Sequence, residues 1–327
     1  MKKYSQILPK LLLGIIFGFL IMSALVIYAD AEKIYNATVD IDMFWLTKAI
    51  FFSIFIYIVR FFKWYFFLRR LHIKVPIVEA GGIYLSGISM GVTPGKSGEI
   101  LKSYLLEKKY NIPFMISAPT LLSERLTGVM GCFALCVIAL LWGGNWSIYI
   151  LYIGLSVLLI LLLLVLIFCH DGLRNWTVNW LCKWELLACH KCQIENFYNS
   201  SFRLMGTRVV CMGTLFSMSY WMMEVMVFYS LLEGMNAMLD LPQVMLLLTS
   251  VSIGGGLTML PGSIGALEGG LMGMLVYMGM DKAVAGGAVL LHRFLCMWFP
   301  VMVGAMVLCT RYRKFYIEVF IRILMRL

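Results

Sequence analysis

The chain has 327 residues, 61% of them hydrophobic and 13% charged, with a formal net charge of +10. That balance excludes an ordinary soluble domain, and the apolar stretches reach the roughly 20 residues that cross a bilayer core as a helix. The basic residues fall in short loops and tails rather than in one stripe, which points to topology and anionic-lipid contacts and away from nucleic acid.

In chain order, the apolar runs predict full spans at 8–29, 43–68, 113–142, 147–169, 207–232 and 281–310. The first follows Lys2 and Lys3 as a signal core would. Its run from Leu11 to Tyr28 is longer than such cores, so it reads as a retained span. Segments 76–107 and 242–278 differ from the rest. Each is too short for two crossings and a turn, and too rich in glycine and proline for one helix. Six glycines fall within 76–98 and nine within 242–279. Both segments read as re-entrant hairpins, which are tolerated at membrane depth only where protein buries them or a wet cavity adjoins them. Trp176, Trp180 and Trp184 line one helical face, which suits an amphipathic helix in the interface or a helix capping the bundle.

Charge asymmetry fixes the orientation. Lys2, Lys3, Lys10, Arg69, Arg70, Lys74, Lys108, Lys109, the bases between spans four and five, and those after span six share one side if both hairpins are re-entrant. The other side carries Asp30, Glu32, Asp40, Asp42, Glu233 and Asp240. The positive-inside rule then predicts cytoplasmic N- and C-termini in the cytoplasmic (inner) membrane. The fold class is an all-α polytopic membrane protein in one integral domain, 1–327. It comprises the first span 8–29, repeat one 43–142, a linking span and interfacial helix 147–206, repeat two 207–310 and a basic tail 311–327.

Residues 93–99 read Thr-Pro-Gly-Lys-Ser-Gly-Glu, and residues 260–268 read Leu-Pro-Gly-Ser-Ile-Gly-Ala-Leu-Glu. Pro76 precedes Pro94 as Pro242 precedes Pro261, and Arg125 follows Pro94 as Arg293 follows Pro261. The two units run in opposite directions through the predicted topology. Such an inverted repeat permits alternating access about a site where broken helices meet.

Ionisable groups at membrane depth are costly and are seldom kept without a role. Arg125 and Arg293 each lie 12 residues into a span, entering from opposite sides, and Glu99 and Glu268 close the two motifs. Glu124 adjoins Arg125, and Arg60 and Glu224 occupy matching depths as coupling or structural ion pairs. Pro94, Gly95, Gly98, Pro261, Gly262 and Gly265 would shape the breaks. Proline suits a first helical turn, and glycine lets the backbone turn sharply or approach a ligand. A half-helix N-terminus with a forked arginine beside it suits a phosphate or carboxylate. Lys96 adds a charge at the first motif or snorkels. His292 is a proton-relay candidate or an ordinary packed histidine. The opposing reading is structural: Glu99 or Glu268 pairs with Arg125 or Arg293 and fixes helix packing.

Cys182, Cys189, Cys192 and His190 lack the second paired knuckle of a zinc site, so no metal is expected. No nucleotide-binding motif is present and no cofactor is expected.

At these motifs the chain resembles the lysylphosphatidylglycerol synthase transmembrane-region family, whose members are often called flippase-like domain proteins. The residues that carry the resemblance are Thr93 to Glu99, Ser123-Glu124-Arg125, and Pro261 to Gly265 with Glu268. The resemblance implies movement of lipids between leaflets, notably aminoacylated phosphatidylglycerol. It departs in two places. Residues 311–327 alone follow the last expected span here, so no soluble aminoacyl-transferase domain is expected, and Ala266-Leu267 stand where a basic residue would precede the glutamate.

The expected function is translocation of a lipid with an anionic head group, or of a lipid-linked precursor, between leaflets, with no catalytic residue assigned. Arg125 and Arg293 would bind phosphate. Glu99 and Glu268 would hold the arginines, accept an amino group or carry a coupling proton. The alternative is a membrane-embedded enzyme, or an accessory or scaffold subunit, of lipid glycosylation or modification. Expected partners are membrane lipids, with a second copy of the chain or a lipid-modifying enzyme.

Overall fold

A computed structural model of the chain describes residues 30–91, 99–143, 191–237, 239–258 and 261–312. These residues are helical, with no strand among them. The helices are α1 Ala31–Val39, α2 Met43–Arg70, α3 Ile77–Ile88, α4 Leu101–Tyr110, α5 Phe114–Trp142, α6 Lys191–Leu204, α7 Thr207–Gly234, α8 Leu241–Leu257, α9 Ala266–Tyr277 and α10 Lys282–Arg311. Four of them (α2, α5, α7 and α10) are long and apolar enough to cross a membrane, and α3, α8 and α9 are shorter apolar helices. The expected spans 8–29 and 147–169, the tryptophan face at 176–184 and the motif residues Pro94, Gly95, Lys96 and Gly98 lie outside the described residues. So do the side chains of Cys182, Cys189, His190 and Cys192.

The ends of these helices follow from local chemistry. At the ends of α2, α7 and α9, His72, Asn236 and Gly279 take left-handed backbone at φ 60, 55 and 91°. Each donates its N–H to a carbonyl three residues back, and the next residue donates five back, as Ile73 does to Leu68, Ala237 to Leu232 and Met280 to Leu275. This arrangement satisfies the last carbonyls and stops the helix. α10 then starts at once, because the Asp281 carboxylate accepts the N–H groups of Ala283 (2.8 Å) and Val284 (3.4 Å). α1 was not expected. Asp30 accepts the Glu32 N–H, and Ile34 is the buried residue of this short amphipathic helix.

The chain divides into two compact units. Unit one takes in Met1–Ile56, Gly81–Leu101 and Met222–Leu327, and unit two takes in Tyr57–Ala80 and Lys102–Trp221.

In unit one, α8 and α9 lie back to back. Gly270 sits under Val251, and Gly255 under Ser263 and Leu267. α9 packs on the first half of α10, which also packs on α1. Gly304, in the second half of α10, meets the backbone of α3. A methyl there would collide with the Leu85 carbonyl oxygen and stand 2.9 Å from the Ser89 nitrogen.

Unit two is closed by the same device. A methyl at Gly131 of α5 would lie 2.5 Å from Ser217 Cβ, and one at Gly213 of α7 would lie 2.8 Å from the Phe67 ring. In lipid, apolar burial gives little drive for helices to associate, so close backbone approach through small residues supplies the packing.

Candidate functional site

The best-defined polar site lies in unit one, at the break between α8 and α9. Pro261–Ser263 form a single 3-10 turn, in which Gly262 (φ 58°) and Ser263 (φ 53°) both take left-handed backbone. Gly265 follows at φ 86°, a conformation that disfavours any side chain. α9 therefore begins at Ala266, five residues after the proline rather than at it.

Glu268 lies in the first turn of α9 and is fully buried. Its Oε2 accepts the Gly265 N–H at 2.7 Å, and its Oε1 accepts Arg293 Nε–H at 2.6 Å. Arg293 Nη2 then donates to the Gly262 carbonyl at 2.8 Å. Arg293 is 7% exposed. One guanidinium thus ties both sides of the break together, and one carboxylate occupies the helix N-terminus. The sequence suggested that an external phosphate or carboxylate would suit that position; in this arrangement the chain's own Glu268 fills it. A charged pair so buried is held by its partners, and removing either one leaves an uncompensated charge in an apolar setting.

His292, next to Arg293, is also buried. Neither ring nitrogen has a hydrogen-bond partner among the described residues, and the ring stands edge-on to Phe228 with centroids 5.2 Å apart.

Immediately beyond Arg293, α10 opens into one π turn at Phe294–Trp298. The Phe299 N–H reaches the Phe294 carbonyl, and Pro300 has no N–H to give. The Leu295 carbonyl thereby loses its helical donor and is met by the Ser53 hydroxyl at 2.8 Å. Pro300 in the middle of a long apolar span was the available signal for this turn.

Unit two holds further charged residues. The Glu124 carboxylate accepts Lys102 Nζ at 2.7 Å, and Lys63 Nζ donates to the Glu124 carbonyl (2.9 Å) and to Ser217 Oγ (2.7 Å). Arg60 lies over the Tyr220 ring at 4.4 Å and over Tyr57 at 5.8 Å. Arg125 is exposed. In unit one, Glu99 is half-buried in a turn ahead of α4, and Glu224 is buried on α7. Arg293 is engaged by Glu268, and the Glu124 carboxylate is engaged by Lys102.

Lys63 and Lys102 were not singled out from the sequence. Lys63 lies within Phe61-Phe62-Lys63-Trp64-Tyr65-Phe66-Phe67, so a lysine inside a span was its signal. Lys102 sits in a polar helix, and nothing local marks it as buried. Among the described residues, no three His, Cys, Asp or Glu side chains come together as metal ligands.

Residues 15–304 match the family model described as the lysylphosphatidylglycerol synthase TM region. The chain is also similar to the UPF0104 membrane protein PH1989 of Pyrococcus horikoshii, with 21% identity over 97% of this chain and 99% of that protein. The chain belongs to the lysylphosphatidylglycerol synthase transmembrane-region family and is a multi-pass membrane protein.

Proposed function

We propose that this chain is a lipid translocase that moves a lipid with an anionic head group, or a lipid-linked precursor, between leaflets. The observation that carries this reading is the Glu268–Arg293 pair, buried at a Pro-Gly break between two short apolar helices. In a membrane such a break belongs where protein or a wet cavity covers the freed backbone. Lengths support the re-entrant reading. α8 has 17 residues and α9 has 12, so they extend about 25 Å and 18 Å at 1.5 Å per residue, short of a full crossing. In this account the hairpins at 76–107 and 242–278 enter from opposite sides of a cytoplasmic membrane, with cytoplasmic termini and six full spans.

Arg293 is the head-group ligand of unit one, and Glu268 is its resting counter-ion. A proton on Glu268, or a swing of its side chain, releases the Arg293 Nε–H and the Gly265 N–H together. Two donors that now hold a carboxylate can then hold a phosphate oxygen. Arg125, exposed on α5, is the matching group of the other half. Glu99 and Glu224 are the further carboxylates available to steady the arginines or carry the coupling proton.

The test is mass spectrometry of lipids that co-purify with wild type and with Arg125→Ala/Arg293→Ala. Enrichment of one anionic lipid class with wild type and its loss in the variant supports the reading. A well-folded wild type that carries only bulk lipid contradicts it. A chemically altered lipid would instead indicate the enzymatic alternative.

A further inference from the structure

In unit one, α1 has three faces, and the translocase reading uses none of them. Ile34 is buried, and Thr38, one turn on, meets α10, where a methyl at Gly287 would lie 3.2 Å from the Thr38 hydroxyl. Lys33, Asn36 and Asp40 are polar and exposed, and Lys33 pairs with Asp30 at 3.7 Å. Tyr35 and Val39 stand four residues apart on a third flank and are 66% and 61% exposed. The first turn of α2 continues the run, with Met43 72% and Phe44 61% exposed. One exposed apolar side chain needs no explanation, but four so close together mark a contact surface.

What lies beside that surface follows from the ends of three long apolar helices. α2 starts at Met43, α7 ends at Gly234 and α10 starts at Lys282. The Asp42 N–H donates to the Gly234 carbonyl at 3.0 Å, which brings the start of α2 to the end of α7. α1 in turn packs on the first half of α10. The side chains here suit the level at which a chain leaves the hydrocarbon. Trp45 meets Tyr229 of α7 edge-on, with centroids 6.2 Å apart, and such rings gather at bilayer surfaces. Lys48 reaches back toward the start of α2, its Nζ 4.2 Å from the Phe44 centroid and 4.1 Å from that of Trp45. A lysine just inside a span takes this posture to carry its charge toward water. Asp40–Asp42 alone separate α1 from α2, a reach of about 10 Å, so α1 is held close to that level.

We propose that α1 lies along the membrane surface, with Tyr35 and Val39 among lipid chains at the head-group boundary and Lys33, Asn36 and Asp40 turned to water. The partner is the bilayer itself rather than one head group. Asp30, Glu32, Asp40 and Asp42 make this end acidic, so apolar burial holds the helix there and attraction to anionic lipid does not. Glu32, beside the apolar flank in the first turn, keeps the helix at the boundary and out of the hydrocarbon. α1 thereby ties the bilayer surface to the half of α10 that carries Arg293. The proposal goes beyond the translocase reading and holds whatever the chain transports.

Photo-crosslinking of the full chain tests it, in vesicles of phosphatidylcholine or of phosphatidylglycerol. Benzoylphenylalanine replaces Tyr35, Val39 or Asn36 in turn. All three positions are exposed, so the variants are expected to fold and melt as wild type does. After irradiation, intact-protein mass spectrometry should show the gain of one phospholipid at positions 35 and 39, about tenfold above that at 36, in either lipid. Equal gain at all three positions, or none at 35 and 39, overturns the proposal. Gain with phosphatidylglycerol alone would mean selection of a head group and overturns it too. A doubled mass at 35 or 39 would assign the flank to a second copy of the chain, against the proposal.

Discussion

Removing either member of the Glu268–Arg293 pair should destabilise the protein by an amount that depends on which member goes. Arg293→Met strands a buried carboxylate, which costs about 3–5 kcal/mol. Its cost has a ceiling, since Glu268 can take up a proton. Glu268→Met strands a guanidinium that cannot lose its proton, and it also removes the acceptor for the Gly265 N–H, adding about 1 kcal/mol. Its expected loss is therefore about 4–6 kcal/mol. At about 2 °C per kcal/mol for a large domain, the two variants should melt roughly 6–10 °C and 8–12 °C below wild type.

The double variant Glu268→Met/Arg293→Met removes both charges and retains volume. It leaves only the Gly265 N–H and the Gly262 carbonyl short of partners, about 2–3 kcal/mol in all, or roughly 4–6 °C. Additivity would instead give roughly 14–22 °C. The assay is thermal unfolding of detergent-solubilised protein, followed by thiol or tryptophan fluorescence. Additive losses, or a shift below about 2 °C in Arg293→Met, would refute the geometry on which the site rests.

Other outcomes follow from packing and backbone chemistry. Gly304→Ala and Gly131→Ala should each lower stability by about 1–3 kcal/mol, because the added methyl meets backbone of α3 and the backbone and Ser217 Cβ of α7 respectively. Gly269→Ala and Gly273→Ala in α9 meet nothing within 4 Å, and should be neutral or stabilising by up to about 1 kcal/mol. Melting temperatures of the four variants check the contrast. Ser53→Ala orphans the Leu295 carbonyl and should cost about 1–3 kcal/mol. Adding Pro300→Ala returns an N–H to that stretch and should recover most of the loss; a further fall in the double variant would count against the π-turn account.

Much of the architecture was legible in the sequence. The described spans follow uninterrupted apolar runs: the expected 43–68, 113–142, 207–232 and 281–310 meet Met43–Arg70, Phe114–Trp142, Thr207–Gly234 and Lys282–Arg311. What escaped was decided by one or two atoms. α2 runs on past its apolar stretch until His72 turns left-handed, and Asp30 caps α1, for which no span or helix was expected. Proline at a break suggested a helix start at Pro261. The left-handed residues that follow, Gly262, Ser263 and Gly265, delay it to Ala266. Glu268 and Arg293 were visible as charges in an apolar chain, and their pairing was one of the alternatives. Which carboxylate meets which base depends on helix contacts that spacing does not encode. The engagement of Glu124 by Lys102 is one such case.

Translocation is tested most plainly by leaflet transfer in vesicles that contain the purified chain. A fluorescent phosphatidylglycerol placed in one leaflet is followed by dithionite quenching, beside a phosphatidylcholine analogue and an Arg125→Ala/Arg293→Ala variant shown to melt cooperatively. The account predicts faster exchange of the anionic lipid with wild type, chemically unchanged, and a rate near that of empty vesicles with the variant. Equal rates for wild type, variant and empty vesicles, across anionic lipids of several head groups, would contradict it.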